Sequence, residues 1–421
     1  MKPVIGFAGL THLGLISALA AAAKGFAVKG YDSDASRVAE ISADRFPVSE
    51  PGLDELASSA GERITYSSSP ADLRACDIVY ISTDVPTDDK GTSNLAGIVA
   101  LIEQVTAELS PHALLVVLCQ VPPGFTRRLS VPSERLYYQV ETLIFGAAVQ
   151  RATEPERLIV GCAEPARALP AVYREFLSAF GCPIMPMRYE SAELCKISIN
   201  CCLIASVTVA NTLAGISESI GADWSEIVPA LRLDRRIGPY SYLKPGLGIA
   251  GGNLERDIAT VQRLAEATGN EATLLDAFLA SSAHSRDWAL RVLHRHVLAA
   301  KPDACLAVWG LAYKENTHST KNSPALALIA SLGPWPVQVF DPVVPASAAV
   351  HPALKAASSA IAAARGADAL LIMTPWPEFR DIALCDLATA MKGDIIIDPY
   401  GALASAAVRA TGLRHFVRGV Q

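Results

Sequence analysis

Val4-Ile5-Gly6-Phe7-Ala8-Gly9-Leu10-Thr11-His12-Leu13-Gly14 decides the fold of this chain. Val4 to Ala8 is apolar and β-rich. A glycine turn follows, then an Ala/Leu run that reaches Ala23 without a proline. Strand, tight turn and helix make the first unit of a doubly wound sheet, and Gly9-x-Thr11-x-x-Gly14 reads as G-x-G-x-x-G with its middle glycine replaced. Gly9 makes the turn, Gly14 lets helix and strand pack closely, and the helix N-terminus offers its N–H groups to a pyrophosphate. Thr11 brings a Cβ to the place where backbone normally approaches the ligand, and its hydroxyl is a candidate phosphate donor. The next strand, Ala27–Tyr31, ends at Asp32, 18 residues past Gly14. A carboxylate there accepts the adenosine ribose hydroxyls and repels a 2′-phosphate, so the expected cofactor is NAD rather than NADP. Met1-Lys2 followed by an apolar run also resembles a signal peptide, but the acid closing the second strand decides for strand-turn-helix.

Outward from this unit, Ile78–Ser82, Leu114–Leu118 and Leu158–Gly161 read as further strands alternating with helical stretches. Between 188 and 295 no strand pattern appears, while Ser191–Ile220 has long helical character and Leu254–Gly269 continues it. Alternation returns with strands at Cys305–Trp309, Val337–Phe340, Ala369–Met373 and Asp394–Ile397, and Ala-rich helices at 323–332 and 353–365. The expected class is α/β: two Rossmann-like domains with doubly wound parallel sheets, joined by a central helical segment. The expected bounds are 1–187, 188–295 and 296–421, with the active site in the cleft between the outer domains.

Composition limits the function classes. A hydrophobic fraction of 51% supports sizeable cores. A net charge of −6 and a pI near 5.8 give no reason to expect nucleic acid or an anionic membrane as partner. Nine cysteines without a C-x-x-C read as reduced thiols of a cytoplasmic protein. His284, His294 and His296 have no carboxylate at ligand spacing, and His12 and His318 look isolated, so no metal is expected.

The loop Pro245-Gly246-Leu247-Gly248-Ile249-Ala250-Gly251-Gly252-Asn253-Leu254-Glu255-Arg256-Asp257 resembles the active-site loop of the UDP-glucose/GDP-mannose dehydrogenase family, G-x-G-x-G-G-S-C-x-x-K-D. The resemblance extends over nearly the whole chain. Asp32 to Arg37 is similar to the family's D-x-x-x-x-R stretch, and Glu50-Pro51-Gly52-Leu53 to its E-P-G-L loop. Val121-Pro122-Pro123-Gly124 is similar to its S-T-V-P-x-G loop, with Cys119 and Gln120 for Ser-Thr. Glu141 to Gly146 resembles P-E-F-L-x-E-G, and Ala192-Glu193-Leu194-Cys195-Lys196 to Asn200 resembles A-E-L-x-K-x-x-x-N.

The resemblance implies roles. Lys196 stabilises the developing alkoxide or oxyanion, Asn200 positions water or sugar, Glu141 is an acid/base or water-orienting group, and Asp257 is the active-site aspartate. Lys196 and Asn200, four apart, share a helix face. Gly9, Thr11, Gly14, Asp32, Arg37 and Lys321 are the cofactor set, Lys321 standing at a family arginine. Arg236 is a candidate phosphate clamp across a dimer interface, and Tyr242, Lys244, Gly251 and Lys314 complete the substrate set. Phe145 falls on a family glutamate, Arg256 on its lysine, and Tyr400 on the arginine of its terminal D-x-R.

The largest departure is Asn253, which falls on the family's cysteine nucleophile. A carboxamide forms neither thiohemiacetal nor thioester, so the usual second oxidation has no route. The expected function is NAD-dependent oxidation of a nucleotide-diphosphate sugar, a UDP-hexose being favoured, by a homodimer built on the central helices. Two enzymatic outcomes stay open, a single two-electron oxidation or a cysteine-independent double one. The alternative is a nucleotide-sugar and NAD binding protein with little turnover. Cys119 is a conceivable replacement nucleophile, although a small apolar strand-end residue is the simpler reading.

Overall fold

The computed structural model describes residues 2–88 and 91–420. The chain divides at Ile199/Asn200 into two compact units. The first contains an eight-stranded sheet: β1 (Val4–Ala8), β2 (Ala27–Tyr31), β3 (Ile64–Ser67), β4 (Ile78–Ile81), β5 (Leu114–Val117), β6 (Leu136–Gln139), β7 (Leu158–Cys162) and β8 (Ile184–Arg188). Their order is β3-β2-β1-β4-β5-β6-β7-β8. The winding reverses between β1 and β4, where Ala8 pairs with Tyr31 on one side and Ile81 on the other. Ligands of open α/β sheets bind outside the strand ends at such a switch point. All neighbours run parallel except β6 and β7.

The second unit contains β9 (Leu306–Trp309), β10 (Val337–Phe340), β11 (Leu354–Ala356), β12 (Ala369–Ile372), β13 (Ile395–Asp398) and β14 (Arg414–Val417). Their order, β11-β10-β9-β12-β13-β14, repeats the first six positions of the first sheet, and every pair is parallel. Strands β1, β4, β5, β9, β12 and β13 are nearly wholly buried apolar runs, as a sheet covered on both faces requires.

Both sheets share one local device. Gly9 (φ 95°) and Gly310 (φ 90°) follow the central strand in the left-handed region, and a Cβ on either would meet Thr83 or Thr374 below 3 Å. Leu10 N–H donates to Asp32 Oδ2 at 2.8 Å; Leu311 N–H donates to Asp341 Oδ2 at 2.6 Å. Asp341 also accepts from Ala312, Val343 and Val344 N–H and from the Trp376 indole, so its carboxylate is used up inside the fold.

Two expectations change. The helix expected at 353–365 is the edge strand β11 followed by a short helix, Ala360–Ala364, started by Ser359, whose hydroxyl accepts from Ala362 N–H. The first sheet has three strands, β3, β6 and β8, and the second has one more, β14, beyond those read from sequence. The long helix is present as Tyr189–Ile220. Among the described residues it alone is long and apolar enough to cross a membrane by length and composition. Its first half carries the buried Glu193 and the ion-paired Lys196, polar groups bonded to protein. Its second half exposes Val209, Leu213, Ile216 and Ile220, spaced four, three and four apart along one face.

Candidate active site

The glycine turn after β1 is built as its residues dictate. A Cβ on Gly14 would lie 1.7 Å from Gly9 O and 2.7 Å from Ser82 Oγ, so only glycine lets the helix His12–Ala23 seat here. No side chain caps that helix, which leaves its first N–H groups for a ligand. Thr11 accommodates its Cβ by turning its hydroxyl to accept from Asp84 N–H at 2.9 Å; the hydroxyl proton stays available to a phosphate. Asp32 directly follows β2 and is buried. Its Oδ2 accepts from Leu10 N–H and from Arg37 Nη1 (2.9 Å), and its Oδ1 from Asp34 N–H. The uncapped helix, the turn that tolerates no Cβ and the carboxylate at the second strand end together fit a dinucleotide.

His12, expected to be isolated, is not. Its Nε2 lies 2.8 Å from Glu50 Oε1, and its ring stacks on Phe145 with centroids 4.3 Å apart. Glu50 is buried and also accepts from Gly146 and Ala148 N–H. These three residues are separated by tens of positions in sequence, which is why spacing alone does not reveal them.

Lys196 Nζ lies 3.2 Å from Glu141 Oε2, and both side chains are largely buried. Leu143 N–H donates to the other Glu141 oxygen, fixing the carboxylate against its own loop. One turn before Lys196, Glu193 accepts from Gly124 N–H (2.5 Å) and Thr126 N–H (2.8 Å). It thereby holds the loop Val121–Gly124, a duty that the A-E-L-x-K motif contained but that its lysine overshadowed. Burial pushes the Glu193 carboxyl up, opposed by these N–H groups.

In the second unit, Asn200 Nδ2 donates to Asp257 Oδ2 at 2.5 Å, and Arg256 Nε lies 3.3 Å from Asp257 Oδ1. Asn253 is exposed at the first position of the helix Asn253–Thr268, whose N-cap, Gly252, supplies no side chain. Gly251 N–H donates to Lys321 O, and Asn322 Nδ2 donates to Gly251 O, tying the glycine loop to the Lys321 turn. A Cβ on Gly251 would touch the Tyr313 ring at 3.0 Å, one residue before Lys314. Tyr400 packs its ring under Gly246 in the same way. Tyr242 and Lys244 are exposed, and the Arg236 guanidinium pairs with Asp234 through two contacts, Nε–Oδ1 3.0 Å and Nη2–Oδ2 2.7 Å.

Neither Cys119 nor Cys201 is prepared for nucleophilic work. Cys119 is fully buried, and burial pushes its thiol up to about 12. Cys201, adjacent to Asn200, is also raised, by burial first and then by the Asp257 carboxylate. Both are protonated at neutral pH. Among the described residues no group of three or more His, Cys, Asp or Glu is arranged to hold a metal.

Residues 3–177 match the NAD binding domain of the UDP-glucose/GDP-mannose dehydrogenase family, residues 190–283 its central domain, and residues 307–405 its UDP binding domain. The UDP-glucose 6-dehydrogenase TuaD of Bacillus subtilis is 28% identical over 424 residues, covering 97% of this chain and 91% of that protein. A UDP-glucose 6-dehydrogenase of Pseudomonas aeruginosa is 28% identical over 430 residues, covering 96% and 94%. The fold matches the solved structure of a UDP-glucose dehydrogenase from Pyrobaculum islandicum with a TM-score of 0.86 at 24% identity, over 99% of this chain and 97% of that one. With all three domain types matched in order, this chain belongs to the UDP-glucose/GDP-mannose dehydrogenase family.

Proposed function

We propose that this protein oxidises a UDP-hexose with NAD in a single two-electron step and releases the carbonyl product. The curated relatives are UDP-glucose 6-dehydrogenases, which favours UDP and a hexose. The observation that carries the oxidation is the pairing of Lys196 with Glu141 in a largely buried setting; the limit to one step is inferred separately from the carboxamide, Asn253, at the position that resembles the family's cysteine. NAD supplies the hydride acceptor. Lys196 places an ammonium against the oxygen that becomes negative as its proton leaves, and it does so in a site where water screens little. Glu141 orients Lys196 and takes the hydroxyl proton directly or through water. Asn200 and Asp257 hold the sugar and an ordered water, with Arg256 paired to the Asp257 carboxylate. Arg236, Tyr242, Lys244, Gly251 and Lys314 bind the nucleotide diphosphate; Arg236 exchanges Asp234 for phosphate when substrate arrives. The reaction balances: one hydride leaves carbon for NAD, one proton leaves oxygen for base, and a carbonyl remains.

We assign the exposed stripe Val209, Leu213, Ile216 and Ile220 to a homodimer, since a face of this spacing fits a second copy of the same helix. The nine free thiols fit a cytoplasmic setting.

The test is stoichiometry. Purified protein with NAD and UDP-glucose, or a panel of UDP- and GDP-hexoses, yields one NADH per sugar and a trappable carbonyl. Two NADH per sugar overturns the single oxidation, and no NADH with any sugar overturns the dehydrogenase reading for that panel. Cys119→Ser leaves rate and stoichiometry unchanged within about twofold, because a buried protonated thiol takes no part in chemistry; loss of turnover with an unchanged melting temperature would contradict this.

Cofactor choice rests on Asp32. Asp32→Asn removes the charge that repels a 2′-phosphate and releases Arg37 to meet one. The preference for NAD over NADP, as a ratio of kcat/KM, falls by about tenfold, the effect of roughly 1.4 kcal/mol of lost repulsion. An unchanged ratio would remove Asp32 from the ribose site.

A further inference from the structure

We infer that His12 is a cofactor-contacting residue whose Nδ1 donates to the NAD pyrophosphate, its ring set in place by Glu50 and Phe145; this rests on the NAD reading above. Three observations converge on it. His12 is the first residue of the helix that follows the glycine turn, where a dinucleotide pyrophosphate sits. Its ring is fixed on two sides, by Glu50 Oε1 at 2.8 Å from Nε2 and by Phe145 stacked at 4.3 Å. Glu50 is itself held, because Gly146 N–H donates to both of its oxygens and Ala148 N–H to Oε2.

With Nε2–H given to the carboxylate, Nδ1 donates to a phosphate in the imidazolium form, and this is the form that sits between the Glu50 carboxylate and a pyrophosphate as a charge-assisted bridge. Among the described residues Nδ1 has no partner. A histidine at a helix N-terminus also works against the helix dipole once it is protonated. Glu50 offsets this from within the protein, and the pyrophosphate offsets it from the ligand side. Phe145 completes the arrangement by bringing an uncharged ring to the position that resembles a glutamate in the family. A carboxylate there would compete with Glu50 for His12 and repel the phosphates. The neighbouring Thr11 hydroxyl, already engaged as an acceptor from Asp84 N–H, retains its proton for the same ligand.

His12→Gln is the discriminating variant. Its amide nitrogen reproduces the Nε2 bond to Glu50, so a purely structural histidine tolerates it, but nothing replaces Nδ1. His12→Phe is the second variant; it keeps the stack on Phe145 and loses both nitrogens. Binding of NADH to the full chain is followed by its fluorescence, with ADP-ribose and adenosine as competitors and the melting temperature as a folding check. Both variants weaken NADH and ADP-ribose by about tenfold, the scale of one charge-assisted contact, and leave adenosine unchanged. NADH bound by the unsubstituted chain and equally well by His12→Gln overturns the inference alone. A loss shared by adenosine overturns it in favour of a structural histidine. An unsubstituted chain that binds no NADH overturns the cofactor reading and this inference together.

Discussion

Lys196→Met lowers kcat by about a thousandfold, the upper end of what removing one preorganised electrostatic donor costs, while NADH affinity stays within about twofold. The ammonium is poised against Glu141 at 3.2 Å, with side-chain exposures of 13% and 16%, so the charge is little screened when the sugar hydroxyl loses its proton. Methionine keeps the volume of the aliphatic stem and removes only the charge. The substitution also strands Glu141, and an unpaired, largely buried carboxylate destabilises the unit. The double variant Lys196→Met/Glu141→Gln separates the two effects, because it removes both charges: the melting temperature recovers and turnover does not. Steady-state kinetics with saturating NAD, read beside the melting curves, decide the matter. A kcat within about tenfold of the unsubstituted enzyme would take Lys196 out of the chemistry.

The residues that build the sheets were largely readable from sequence, because β1, β4, β5, β9, β12 and β13 are buried on both faces and leave continuous apolar runs. Most of the strands that escaped are different in kind, β6, buried at three of its four positions, being the exception. β11 is three residues inside an Ala-rich stretch, and β3 and β8 carry half-exposed positions, β8 with a proline as well, so their patterns compete with turn and helix. Within the site, the motifs named Lys196, Glu141, Asn200 and Asp257, but the pairing of Lys196 with Glu141 crosses 55 residues and that of Asn200 with Asp257 crosses 57. No local period encodes such a pairing. His12 and Glu50 show the limit most clearly. A histidine inside a glycine fingerprint and a glutamate in an E-P-G-L loop carry no mark of one another. Their partnership exists only because the fold brings the start of the helix after β1 against the loop before Leu53. Glu193 was visible but unused, since holding backbone N–H groups leaves no signature in residue type.

Asn253→Cys raises the yield from one NADH per sugar towards two. The backbone at this position suits a thiolate. Asn253 is the first residue of a 16-residue helix whose N-cap, Gly252, contributes no side-chain bond, and a thiol at an uncapped helix N-terminus ionises more readily than a free cysteine. Asp257 follows one turn later on the same helix, already held by Asn200 and Arg256, so the neighbouring polar groups need no rearrangement. A thiolate introduced there adds to the aldehyde carbon, the resulting hemithioacetal gives its hydride to a second NAD, and water cleaves the thioester to carboxylate and free thiol. The side chain at this one position, and not the scaffold around it, then sets the electron count. Mass spectrometry of the reaction resolves the alternatives. Carboxylate with two NADH per sugar supports this account. A covalent sugar adduct on the introduced thiol without a second NADH means that the second hydride lacks its geometry and locates the limit elsewhere. An unchanged carbonyl product with no adduct shows that the position does not face the reacting carbon, which would withdraw the mechanistic weight placed on Asn253.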